Sequence, residues 1–257
     1  MHKSSVGNEN RCIFNIIELD FDQKGQRGSA EGLLMAGTIG TPSGDLSQNG
    51  ISPSGLIHWN LEARALIEIA HQRGEGVYSA DKALVTETGE RTGRSPNDKF
   101  IVDEPSTSDD INWGDVNISC DEDTFQRMRA KVVEYLSEQE ALFVQDLYCG
   151  ADFSEALPIR VINQTAWHNA FARNMFIRPS EQQLETHEPK FTVFHAPHFE
   201  ADAEKDGLAS QCFVIVNYAA KEVIIGGTRY AGEVKKSIFS VMNLILPKKG
   251  ILPMHCS

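Results

Sequence analysis

A chain of 257 residues with 41% hydrophobic content can bury a full core as one large domain or a little more. Its formal net charge of −12 opposes a general attraction to nucleic acid or to anionic membrane, so any bound anion must be held by local positive groups. Cys12, Cys120, Cys149, Cys212 and Cys256 are scattered and form no CxxC pair, which argues against a disulfide framework or a cysteine zinc site and fits a reducing cytoplasm.

Along the chain, IFNIIEL near the N-terminus is too short, and too soon interrupted by Glu18, for a signal peptide, and no later run is long enough to span a bilayer. Residues 22–57, rich in Gly, Ser, Pro, Asn and Gln, read as a mobile leader within a non-core segment 1–57, with the folded part starting near His58. WNLEARALIEIAHQRG then places Leu61, Ala65, Leu66 and Ile69 at helical spacing, and EDTFQRMRAKVVEYLSEQ does so with Phe125, Met128, Val132 and Leu136. KFIVDE, ALFVQDLYCG, PIRVIN, KFTVFHA, QCFVIVN and KEVIIGG are Val, Ile and Phe runs bounded by turn residues, and they read as strands. QTAWHNAFARNMF after PIRVIN is a third helix, with Trp167, Phe171 and Met175 every four residues. GEVKKSIFSVMNLIL is a fourth, whose apolar face holds Val234, Ile238, Val241, Met242 and Ile245. This mixture predicts an α/β or α+β domain, a mixed sheet with flanking helices.

Two stretches carry chemistry. TGERTGRSPNDKF places Arg91 and Arg94 on a Gly- and Pro-rich turn beside a strand, where a guanidinium fork can clamp a carboxylate or phosphate; the plain alternative is a solvated basic turn. In the last helix, Lys235 and Lys236 occupy the first turn, where the macrodipole disfavours cations. Projection at ~100° per residue puts Lys235 inside the apolar arc and Lys236 just outside it. Desolvation and the helix end both push an amine toward the neutral form that can ligate a metal, whereas the alternative is a snorkelling Lys235 and a surface Lys236. Gly227 and Gly232 have the spacing of GxxxxGK[ST], but Glu233 and Val234 follow, so the phosphate loop is rejected. His195 and His198 lack a carboxylate pattern for zinc. His255 ends a short apolar run, ILPM, that reads as a strand with nothing after it to cover it, as if the chain were cut.

Taken together and in this order, TGRSPNDKF, NQTAWHNAFARNMFIRP, IIGGTRYAGEVKKSIFSVMNLILPKKG and MHCS resemble the N-terminal part of the ATP-dependent phosphoenolpyruvate carboxykinases. The resemblance implies a carboxykinase N-terminal, substrate-binding domain over residues 58–250, with 251–257 as the first strand of a truncated nucleotide-binding domain. It implies the reaction of oxaloacetate and ATP to phosphoenolpyruvate, carbon dioxide and ADP, as in gluconeogenesis, with Mg–ATP and a second ion, preferably Mn2+. By the same resemblance Arg94 holds the substrate carboxylate and Tyr230 lines the pocket for phosphoenolpyruvate or carbon dioxide. Lys235 stands near the substrate and the transferring phosphoryl group, and Lys236 and His255 ligate manganese at the nucleotide site. In the family Lys usually stands where this chain has Asn97, which removes a positive charge beside Arg94. The phosphate loop, a further metal ligand and the adenine pocket of the family follow MHCS, so the chain alone is expected to be inactive. The rival expectation is a non-catalytic anion-binding or interaction module that keeps the fold; RYAGEVKK looks like the ATP-using rather than the GTP-using type.

Overall fold

The computed structural model describes residues 37–253. In chain order the strands and helices are β1 Thr38–Gly40, β2 Leu56–Trp59, α1 Ala63–Gln72, β3 Val77–Tyr78, β4 Leu84–Val85, β5 Lys99–Val102 and β6 Ile118–Cys120. Then come α2 Glu122–Ser137, β7 Ala141–Cys149, β8 Leu157–Asn163, α3 Ala166–Met175, α4 Glu181–Leu184 and β9 Phe191–Ala196. The series ends with α5 Ala203–Asp206, β10 Phe213–Asn217, β11 Glu222–Gly226 and α6 Gly232–Ile245. Nine strands among the described residues form one mixed sheet in the order β1-β2-β7-β8-β9-β11-β10-β5-β6, and β3 pairs with β4 apart from it. Strands β8, β9 and β11 run parallel, with Val161 opposite Val193 and Val193 opposite Val223, while β7 and β10 run antiparallel to their neighbours β8 and β11.

Because side chains alternate across a strand, each central strand serves both faces of the sheet. Ile162, Phe194 and Ile224 point to one face, where they meet Phe125, Met128, Val132 and Leu136 of α2. Val161, Val193 and Ile225 point to the other, where Val234, Ile238 and Val241 of α6 cover them. Helix α2 starts where Asp121 accepts the Thr124 N–H at 2.6 Å, the N-cap bond that its Asp-Glu-Asp opening suits. A third cluster joins α1 and α3 through Leu66, Ala70, Trp167 and Phe171 against Phe143 of β7.

Two sequence expectations need correction. The folded part does not begin near His58: Leu46 and Ile51 are 1% and 0% exposed in the α2-face cluster, and β1 and β2 extend the sheet, β2 lying parallel to β7. Their apolar runs are short, and only distant partners give them a place to be buried, so local composition reads as leader. The rest of the expected leader, residues 22–36, lies outside the described residues. The second correction concerns ILPM, since Ile251, Leu252 and Pro253 carry no strand; Met254, with the rest of MHCS including His255, lies outside the described residues.

Candidate functional site

Helix α6 brings the site together. It follows directly on β11 through Gly227–Ala231, so the carboxyl ends of the parallel strands deliver the chain to its first turn. Two buried histidines hold this connection by its carbonyls. His168 on α3 donates through Nε2 to the Arg229 carbonyl at 2.9 Å, and His195 on β9 donates through Nε2 to the Thr228 carbonyl at 3.2 Å. The opposite ring nitrogens then accept, from the Thr165 hydroxyl at 2.5 Å and from the Asn163 amide at 3.2 Å. Both rings are therefore neutral, in agreement with burial, which pushes His195 down to about 4 and His168 well below the ordinary histidine value. His195 is thus a support of the backbone, and its sequence neighbour His198 lies exposed at a separate cavity. Among the described residues no cluster of three or more His, Cys, Asp or Glu side chains is placed to hold a metal.

A cavity of 420 Å³ runs along the outer side of α6, bounded by the 94–99 loop, the start of β5, β10 and residues 110–117. Arg94, Lys99, Glu233 and Lys236 all line it. Glu233 is the tie between its two walls: only 4% exposed, it accepts the Ser95 N–H at 2.7 Å and so fixes the Arg94 loop to the first turn of α6. Burial raises its pKa, while the Ser95 N–H and the charges of Arg94 and Lys99 act in the opposite direction. Lys99 donates to the Ser240 hydroxyl at 2.6 Å, and its pKa is lowered by burial first, Glu233 opposing and Arg94 adding to the effect. Arg91 serves the loop itself, donating to Ser95 at 3.0 Å, to Asp98 at 3.0 Å and to Ser210 at 3.0 Å. Asn97 is exposed on the same turn.

The structure therefore brings together Arg94 and Lys236, and adds Lys99 and Glu233, which the sequence reading did not single out. Lys236 is half-exposed; its amine sits 5.6 Å from the Phe239 ring centre, and its pKa is lowered by desolvation, then by Arg94 and Lys235. Lys235 is also half-exposed, against the helical projection that buried it, and does not line this cavity. The buried stripe of α6 is narrower than the projected arc, running through Val234, Ile238, Val241 and Met242, so Lys235 falls at its rim. Tyr230 likewise lies outside the cavity lining and lays its ring over Gly232, where a Cβ would come within 2.4 Å of Tyr230 Cε1. Only glycine admits that approach at the start of the helix.

Three cations around a buried carboxylate, one guanidinium and two amines, suit an anion carrying carboxylate or phosphate oxygens. The sequence profile of the phosphoenolpyruvate carboxykinase family matches residues 55–257. A relative from Brevibacillus brevis called phosphoenolpyruvate carboxykinase (ATP) is 51% identical over 201 residues, covering 78% of this chain and 38% of its own length. Relatives of the same name from Geobacillus thermodenitrificans and Bacillus subtilis are each 50% identical with the same coverage. The chain spans 38% of the length of each of these curated relatives.

Proposed function

Because the chain belongs to the ATP-dependent phosphoenolpyruvate carboxykinase family, we propose that it forms the substrate-binding, N-terminal part of an enzyme converting oxaloacetate and ATP to phosphoenolpyruvate, carbon dioxide and ADP. The observation that supports this most is the 420 Å³ cavity in which Arg94 and Lys236, placed far apart in sequence, meet with Lys99 around Glu233. Arg94 binds the substrate carboxylate through its planar fork, and the Glu233–Ser95 bond keeps that fork in register with α6. Tyr230, held against Gly232, lines the neighbouring space for phosphoenolpyruvate or carbon dioxide. Lys235 would stand near the substrate and the transferring phosphoryl group, and Lys236 with His255 would hold a manganese ion. The lowering of the Lys236 pKa, by desolvation first and then by Arg94 and Lys235, fits that donor role, since it favours the neutral amine. A bound divalent cation supplies charge neutralisation for the enolate left by decarboxylation. The chain's own contribution is positioning and positive charge where anionic charge develops.

Residues that cradle the triphosphate belong to the part of the relatives that this chain does not span. No helix of the described residues is long and apolar enough to cross a membrane. Titrating phosphoenolpyruvate into the chain, followed by backbone amide NMR shifts, tests the reading. Shifts should gather on residues 94–99 and the first turns of α6, and Arg94→Gln should weaken binding about tenfold or more. Binding that is absent, or unchanged by Arg94→Gln, would overturn the assignment.

A further inference from the structure

On the opposite face of the sheet, at the amino ends of β9 and β11, lies a second cavity of 540 Å³. At its floor is Arg160 of β8, a cation only 2% exposed. Its Nε donates to Asp146 at 2.8 Å, and its plane lies 4.9 Å over the Trp59 ring. Asp146 is satisfied from several sides, taking 2.6 Å from Trp59 Nε1 and a further bond from the Ser43 hydroxyl. The outer nitrogens of Arg160 are less well provided. Nη1 reaches Asn49 Oδ1 and Nη2 reaches Ser43 Oγ, each at 3.3 Å, which leaves two of the five N–H groups without a partner among the described residues. A buried guanidinium with unused donors beside an open cavity is a costly arrangement unless something accepts from it.

The surroundings are set up for an acceptor. Asn49 is turned by its own bond to Thr192 (Nδ2 to Oγ1, 3.2 Å) so that its carbonyl faces Arg160, and the loop backbone at Gly44 lies against the guanidinium, where a Cβ would stand 3.3 Å from Nη2. At the mouth, Lys190 and Lys221 are exposed and make no ion pair among the described residues. Of the carboxylates present, Glu222 is taken by Arg129, which grips both its oxygens, and Asp146 by Arg160. That leaves two lysines against Glu188, a local excess of positive charge in a chain whose overall charge is −12.

We propose that this cavity is a second anion site, in which Arg160, with Lys190 and Lys221 at the mouth, binds the carboxylate or phosphate oxygens of a small metabolite. It lies across the sheet from the α6 cavity and its occupant would touch none of the residues assigned to the reaction. Binding would instead cross-link the loop of residues 43–49 to β8, β9 and β11, and so stabilise the α2 face.

The test uses backbone amide NMR and calorimetry on the full chain, with inorganic phosphate and succinate titrated separately at constant ionic strength and chloride as the control. Either probe should shift residues 43–49, Thr192 and Lys221 with single-site saturation, and which of the two binds identifies the source of the oxyanion. Lys190→Gln combined with Lys221→Gln, both exposed and so compatible with folding, should weaken that binding about tenfold, each lysine contributing on the order of a unit charge at the site. Lys205→Gln, exposed and outside the lining of this cavity, should leave it unchanged. Failure of both probes to bind overturns the proposal. So do shifts confined to the Arg94–Lys236 cavity, or equal affinity in the Lys190/Lys221 double variant.

Discussion

Replacing His195 by Gln tests the buried histidine support under α6 through its dependence on pH. In the folded chain burial pushes His195 down to about 4 from an ordinary value of 6.5, so in that window the unfolded chain takes up a proton that the folded chain refuses. Its neutral ring therefore contributes fully above pH 6.5, and stability falls as acid is added until the folded-state value is reached. The interval from 6.5 to about 4 caps the loss at about 3 kcal/mol, and about 2 kcal/mol of it is gone by pH 5. At pH 7.5 the variant should be less stable than the parent by about 1–3 kcal/mol, because the Thr228 carbonyl and the Asn163 amide lose a shared partner. At pH 5 the gap should shrink by about 2 kcal/mol, since glutamine has no proton to gain. His168 titrates in the same sense, and its suppression comes partly from His195, so the variant relieves it as well. Urea unfolding followed by tryptophan fluorescence measures the gap, with Trp167, 3.5 Å from the His168 ring centre, as a local reporter. Carboxylate titration is common to both proteins and cancels in the difference. An identical gap at pH 7.5 and pH 5 would refute the neutral, buried assignment.

Ile51→Ala should cost about 2–5 kcal/mol in the same urea assay if residues 46–51 belong to the core, and a cost typical of a surface site would return them to a leader. Fusing the chain to the remaining three fifths of the Brevibacillus brevis relative should give ATP-dependent formation of phosphoenolpyruvate from oxaloacetate, whereas the chain alone, which contains no GxxxxGK[ST] loop, should give none. In that fusion Lys236→Arg should weaken manganese binding, read by electron paramagnetic resonance, because arginine stays protonated; Lys235→Arg should spare the metal and slow turnover. Equal manganese affinity in the Lys236→Arg protein would remove Lys236 from the ligand set.

How much of this was legible depended on how local the signal was. Strands β5 and β7–β11 announce themselves through Val, Ile and Phe runs, and α2, α3 and α6 through spacing, because each element buries enough apolar surface to leave a pattern within its own span. Strands β1, β2 and β6 are three or four residues long and have no such pattern; pairing of β6 with β5, of β2 with β7 and of β1 with β2 decides them. Arg94 and Lys236 were found from their motifs. Glu233 was passed over because an acidic residue in a first turn reads as an ordinary complement to the helix dipole. What makes it different is the Ser95 N–H, 138 positions earlier, and no window along the chain contains both partners.

Glu233 also bears on how the cation cluster is held together. Arg94, Lys99 and Lys236 converge on one 420 Å³ space; burial is the first cause lowering the pKa of both lysines, and the Arg94 charge adds to it at each. An anionic ligand would cancel that repulsion, but the fold must persist before the ligand arrives. A single buried carboxylate meets both needs, since it offsets part of the charge and at the same time holds the Arg94 loop by a backbone N–H. Asp110 also lines the space but is paired with Lys248, so Glu233 remains as the carboxylate against three cations, and an incoming dianion is attracted locally despite the −12 of the whole chain. Asn97, uncharged on the same turn, lowers the positive charge without adding a carboxylate, which leaves Arg94 as the fork that the ligand meets at the loop.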